Sequence, residues 1–279
     1  MQSLADIKAL LAAHGLAPKH RLGQNFLHDP RKYALLMAAA DIRPDDQVLE
    51  VGPGTGALTE HLLQAQARVL AVEIDADLEP ILRQRLAGFG DRFHLIIADI
   101  LAGKHQIDAR VLAAVTAGGR PFKLIANLPY NVASPLLVNL AVDHPLMTRA
   151  VVMVQKEVAD RLAAGPGGKD YGPLGILVQA LCTVQVVGKL PPGCFWPPPQ
   201  VDSAVVRLVR RDRPLTANPP ALAALVHRLF HQRRKQIGTI LGRSTPLPPG
   251  ILPTARPETL TLEQLVQLSE TLSAYNHTP

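Results

Sequence analysis

Apolar residues along this chain fall into two kinds of run. Short blocks rich in Val, Ile and Leu alternate with longer stretches whose apolar positions recur every three or four residues. The first kind reads as buried strand, the second as amphipathic helix. Leu4, Ile7, Leu10 and Leu11 form a helical stripe at the start, followed by a polar stretch from Lys19 to Asp29. Strands are predicted at 47–51, 68–74, 93–98, 122–126, 150–154, 177–187 and 204–209. Helices are predicted at 58–66, through Leu86, and from Ser134-Pro135, where Ser caps and Pro suits a first turn. Strands alternating with helices imply a mostly parallel sheet with helices on both faces. The last two strands have only the proline-rich 190–200 between them, which predicts an antiparallel finish. Beyond Arg213 the pattern turns helical, at 220–235 and 262–274, around an irregular proline-rich stretch at 244–257. GPGGKDYG at 165–172 reads as a flexible loop. The expectation is an α/β domain over 1–210, with a helical extension at 1–20, and a small helical domain over 211–279.

Composition narrows the class. With 279 residues, 47% hydrophobic and 19% charged, the chain has the material for a sizeable core, which excludes disorder. No apolar run approaches the ~18 residues of a membrane span, and the N-terminus lacks the apolar segment of a secretory signal. Cys182 and Cys194 are the only cysteines and form no C-x-x-C. That suits a reducing cytoplasm and excludes a structural zinc site made of cysteines. The net charge of +6 is uneven: nine bases between Arg207 and Arg243 face one acid, Asp212, so that window carries +8 and the rest of the chain −2. A basic segment on a near-neutral body points to a polyanionic partner, against the plainer reading of a solvated helix face.

Four motifs carry chemistry. Glu50-Val51-Gly52-Pro53-Gly54-Thr55-Gly56 closes the first predicted sheet strand with a glycine turn that lets backbone approach a ligand. Gly52, Gly54 and Ala57 also satisfy a dinucleotide fingerprint. Glu73, in AVEID, ends the next strand 21 residues after Gly52, where an acid accepts hydrogen bonds from ribose hydroxyls. Asp75 is the alternative acceptor. NAD and S-adenosylmethionine both need such an acid. Asp99 ends the third strand, placed for an adenine amino group or simply as a helix cap.

Asn127-Leu128-Pro129-Tyr130 follows the fourth strand and separates the two cofactors, because a dehydrogenase has no use for it there. The exocyclic amine of adenine is a poor nucleophile, its lone pair being delocalised into the ring. An Asn oxygen and the Leu128 carbonyl can accept its two N–H groups and favour the pyramidal nitrogen of the transition state. Pro129 fixes the backbone that aims the carbonyl, and Tyr130 offers a stacking face for a flipped base.

GQNFL at 23–27, EVGPGTG, VEID, the strand-ending Asp99, NLPY and FWPPPQVDSAV at 195–205 occur in the order of the ribosomal RNA adenine-N6,N6-dimethyltransferases, which the chain resembles from about Lys19 to Leu272. The resemblance implies a Rossmann-like class I methyltransferase with a seven-stranded, mostly parallel sheet and a small C-terminal helical domain. It places Asn25 and Leu27 against the methionine part of S-adenosylmethionine and Gly52, with Gly54, in the glycine loop. Glu73 falls on the ribose, Asp99 on the adenine ring, and Asn127 where cofactor and target base meet. Phe195 falls on the target-base side opposite Tyr130. Phe230 to Lys235 resembles the family's basic helix, so Arg233, Arg234 and Lys235 are expected on rRNA. The implied substrate is a pair of adjacent adenines in a hairpin loop near the 3′ end of 16S rRNA, each methylated twice, in the small ribosomal subunit. A monomer is expected, with no metal and no membrane partner, and a role in small-subunit biogenesis.

Some residues depart from the family pattern. Gln200 stands where a basic residue is common, and Trp196, the only tryptophan, reads as a wedge between domains. His227 and His231 have metal-ligand spacing, but surrounding arginines disfavour a cation. The rival functions are a 23S rRNA or DNA adenine methylase, and an assembly factor for which methylation is secondary.

Overall fold

The computed structural model describes residues 2–103, 106–242 and 244–276. Arg243, counted in the basic window, lies outside them. In chain order the elements are α1 (Leu4–Ala13), β1 (Phe26–Leu27), α2 (Pro30–Ala40), β2 (Gln47–Val51), α3 (Ala57–Gln64), β3 (Arg68–Glu73), α4 (Glu79–Leu86), β4 (Phe93–Ile97), α5 (Ala109–Val115), β5 (Phe122–Asn127), α6 (Tyr130–Asp143), β6 (Met147–Gln155), α7 (Lys156–Ala163), α8 (Pro173–Leu181), β7 (Cys182–Leu190), β8 (Phe195–Trp196), β9 (Ser203–Arg210), α9 (Pro219–His231), α10 (Ile237–Leu241) and α11 (Leu262–Asn276).

Seven strands form one sheet in the order β4-β3-β2-β5-β6-β9-β7. The pairs β2–β3, β3–β4, β2–β5 and β5–β6 are parallel, and β9 runs antiparallel to β6. The mixed α/β class and the mostly parallel sheet are those the strand and helix pattern predicts. Strands covered on both faces need continuous apolar runs. Val48, Leu49, Val51, Leu124, Ile125 and Ala126 meet that need and are all buried.

Several local expectations give way to tertiary packing. The apolar run at 177–181 belongs to helix α8, and the strand starts at Cys182. Every residue of α8 from Leu174 to Leu181 except Gln179 is buried, and a helix buried all round has no polar face to reveal its period. Helix α6 starts at Tyr130, so Pro135 lies inside it rather than opening it. Buried Ala133, Leu136, Leu137 and Leu140 hold that helix in place despite the lost hydrogen bond. The two-residue pair β1–β8, Phe26 with Trp196 and Leu27 with Phe195, is too short to show in any pattern. The loop at 165–172 is tied down: the Gly167 N–H donates to Glu258 O at 2.7 Å and Tyr171 is buried.

The chain divides into two units. The first comprises 1–139, 146–159 and 185–209, and the second 140–145, 160–184 and 210–279. The second unit therefore draws two internal stretches to the C-terminal segment. Within it α9 packs on α8 and α11. Tyr171 meets Phe230 edge-on at 5.9 Å and donates its hydroxyl to Leu260 O. Arg210 donates to the carbonyls of Leu140, Ala141 and His144, closing the last turn of α6.

Candidate active site

Within the first unit, at the carboxyl ends of β2, β3, β4 and β5, lies a cleft with about 1150 Å3 of empty space, counting its open mouth. Strand order reverses between β2 and β5, and such a switch point leaves a crevice outside the strand ends. All the sequence-predicted residues Asn25, Leu27, Gly52, Gly54, Glu73, Asp99, Asn127, Leu128, Pro129 and Tyr130 line it.

The glycine loop shapes its floor. Gly52, Gly54 and Gly56 all have positive φ. A Cβ on Gly54 would stand 3.0 Å from a ring carbon of Phe26, so loop and ring close on each other only with glycine there. The Glu73 carboxylate, 4% exposed, accepts from the N–H groups of Asp75 at 2.9 Å and Gly54 at 3.2 Å. Burial raises its pKa, against those hydrogen bonds. Asp75, the alternative acceptor, is already engaged: its carboxylate takes Lys19 at 2.5 Å and Gln24 at 2.7 Å. Burial alone would raise Asp75, but these partners hold it below its ordinary value. The same contacts latch the 19–25 segment to the end of β3. Asp99 is exposed and caps the following turn through Leu101 N–H at 2.9 Å. Ile74, 47% exposed, lines the cleft beside it.

At the other end, Asn127 is half-buried and its amide nitrogen donates to the Asn25 carbonyl at 3.0 Å. This leaves the Asn127 oxygen as an acceptor. The Leu128 N–H donates to Met153 O at 3.2 Å, pinning the loop to β6. Tyr130 shares a hydrogen bond with the buried Ser203 hydroxyl at 2.9 Å, and burial raises its phenol.

Phe195 is placed differently from the other expected site residues. It is 3% exposed, pairs with Leu27 and belongs to the first unit's hydrophobic core rather than to the cleft lining. Phe195 packs with Leu27 in that core, as burial of an aromatic face favours. Trp196 packs inside the same unit, 6.4 Å from Phe26 with the Lys8 ammonium 5.3 Å over its ring, not as a wedge between domains. Glu50 is the group sequence reading passed over. It is 1% exposed on the cleft wall, one oxygen has no hydrogen-bond partner, and burial, with Glu73 nearby, pushes its pKa to about 8. An acid inside the apolar run of β2 was the available signal.

In the second unit Arg234 and Lys235 are exposed. Arg233 is committed: it pairs with Glu258 at 2.8 Å and donates to Lys169 O. Arg211 and Arg228 likewise donate to backbone carbonyls. Much of the basic window is therefore structural.

Residues 16–272 match the family model described as ribosomal RNA adenine dimethylase. The chain belongs to this family. "Ribosomal RNA small subunit methyltransferase A" of Magnetococcus marinus is 41% identical over 279 residues, covering 97% of this chain and 98% of that protein. The protein of the same name from Lachnoclostridium phytofermentans is 40% identical, covering 90% of each. Among solved structures, a dimethyladenosine transferase from Plasmodium falciparum superposes with a TM-score of 0.72 at 26% identity, over 90% of this chain and 97% of that one. The 23S rRNA methyltransferase ErmE gives 0.66 at 29%, over 89% and 100%. The Rossmann-like methyltransferase fold is thus common to the family and this chain.

The cleft fits the family's cofactor class. A glycine turn of positive φ at a strand end, with the buried Glu73 carboxylate at the end of the next strand, suits a nucleoside with free ribose hydroxyls. Glu73→Ala should weaken S-adenosylmethionine binding by about 1.5–3 kcal/mol, the range for hydrogen bonds to a charged group. Unchanged affinity in calorimetry, with the fold intact, would assign the ribose to another residue. Among the described residues no group of three His, Cys, Asp or Glu side chains is placed to hold a metal, and no helix is long and apolar enough to cross a membrane.

Proposed function

We propose that this S-adenosylmethionine-dependent rRNA adenine dimethyltransferase acts on two adjacent adenines in a hairpin loop near the 3′ end of 16S rRNA, in the small ribosomal subunit. It would work as a cytoplasmic monomer during subunit biogenesis. The observation that carries the site assignment is Asn127, locked by Asn25 beside the glycine loop with its oxygen left to accept.

Bound S-adenosylmethionine supplies an activated methyl group. The chain's own work is then binding, orientation and exclusion of water. Glu73 holds the ribose and Asp99 the adenine ring, while Asn25, Leu27, Gly52 and Gly54 enclose the remainder. The Asn127 oxygen and the Leu128 carbonyl accept from the target amine, and Pro129 keeps the carbonyl aimed. The Tyr130 ring supports the flipped base. Room beside Asn127 is required for the second methylation. A radioactive methyl-transfer assay comparing immature small subunits, 23S rRNA and DNA tests the substrate. Preference for 23S rRNA or DNA would overturn it.

The exposed Arg234 and Lys235 are assigned to rRNA phosphates, with Arg233 mainly bracing them through Glu258. Replacing Arg234 and Lys235 with Gln should flatten the salt dependence of 16S rRNA binding by roughly 0.7–0.9 log units per lost phosphate contact. Arg233→Gln should change that slope less. Cofactor affinity should not move in either variant. A wild-type slope in the double variant would leave these residues as a solvated helix face.

A further inference from the structure

We propose that Ser203 is a positioning residue for the target adenine, acting through the ring of Tyr130; this rests on the placement of the base against Tyr130 given above. The two hydroxyls are 2.9 Å apart. Ser203 is 1% exposed, while Tyr130 is half-buried with its ring on the cleft wall. They are 73 residues apart in the chain.

Topology brings them together. Parallel strands β5 and β6 both end at the cleft edge. β9 runs the other way, so it begins at that edge, and its first residue, Ser203, pairs with Gln155, the last of β6. Strand β6 lies between β5 and β9. The Tyr130 side chain, at the start of α6 just beyond β5, therefore crosses the end of β6 to reach Ser203. The backbone leading into Ser203 is held there too, since the Lys156 N–H donates to Asp202 O at 2.9 Å.

A tyrosine ring on its two rotatable bonds is free to tilt. A base stacked on a tilting ring samples many orientations, and methyl transfer tolerates few of them. Fastening the far end of the ring to a buried hydroxyl on β9 fixes the direction of its long axis and so removes the swing about the first of those bonds. A half-buried phenol needs a hydrogen-bond partner in any case. Here the partner also sets the direction of the ring axis of a residue that lines the same cleft as Asn127. Ser203 thus adds no contact surface of its own and works by orientation.

The test is methyl transfer to unmethylated small ribosomal subunits, with cofactor affinity measured by calorimetry on the same proteins. Ser203→Ala and Tyr130→Phe should each lower kcat/KM by about 3- to 10-fold, the loss of one neutral hydrogen bond. The double variant should be no worse than either single one, because both remove the same interaction. Ser203→Thr, which keeps the hydroxyl, should retain wild-type kcat/KM, and cofactor affinity should be unchanged throughout. Wild-type kcat/KM in Ser203→Ala, or losses that multiply in the double variant, would overturn the proposal. Tyr130→Ala separates the two levels. If it loses activity while Ser203→Ala does not, only the role of Ser203 falls. If Tyr130→Ala itself keeps full activity, the placement of the base falls and the proposal with it.

Discussion

Asn127→Asp should lose as much turnover as Asn127→Ala, roughly 10²–10³-fold, as for a lost transition-state hydrogen bond. On acceptor chemistry alone the two variants would differ, because a carboxylate still accepts from the adenine amine. The structure gives the Asn127 amide a second duty. Its nitrogen donates to the Asn25 carbonyl at 3.0 Å. Aspartate would set a carboxylate oxygen against that carbonyl, replacing a hydrogen bond with repulsion between two acceptors. Either the side chain turns out of line or the 25–27 segment moves, and that segment lines the same cleft. RNA affinity should change little in both variants, because phosphate contacts dominate it. Single-turnover methylation of small subunits measures the effect. An active Asn127→Asp would make acceptance sufficient and the bond to Asn25 irrelevant. Near-wild-type turnover in Asn127→Ala would sink the proposed chemistry altogether.

The second large effect concerns stability against pH. Glu50 is fully buried on the cleft wall, and burial lifts its pKa to about 8 from the usual 4.5. Between those values the folded chain holds a proton that the unfolded chain has released. The folded state therefore binds more protons, and stability falls as pH rises through this window. The loss is on the order of 5 kcal/mol if the whole shift is expressed. Glu50→Gln keeps the shape and removes the ionisation. In the cofactor-free protein its stability should gain on wild type steadily from pH 5 to pH 8 and then level off. Denaturant unfolding at several pH values reads the difference directly. Parallel curves for the two proteins would mean that the Glu50 carboxyl is solvated and titrates normally.

Much of the site was legible because its signals are local. A buried strand is a block of apolar, often branched residues, and a ligand-binding turn needs glycines at fixed offsets. Gln47–Val51 with Gly52, Gly54 and Gly56, and Glu73 at the end of Arg68–Glu73, follow from those rules alone. NLPY could be read from the chemistry of an amine that needs acceptors. What sequence could not supply depends on partners far along the chain. Whether 177–181 is helix or strand is settled by what surrounds it, since a fully buried segment shows no period. The engagement of Asp75 depends on Lys19 and Gln24, more than fifty residues away. Phe195 and Arg233 carry motif-like identities, yet Leu27 pairing buries the one and Glu258 engages the other. Tyr130 meets Ser203 only because β9 is antiparallel and starts where its parallel neighbours stop. Sequence by itself determined the strand-end residues that come to line the cleft, through short-range pattern and side-chain type. Tertiary structure decided which polar groups among them are already engaged, because sheet order and burial assign each its partner.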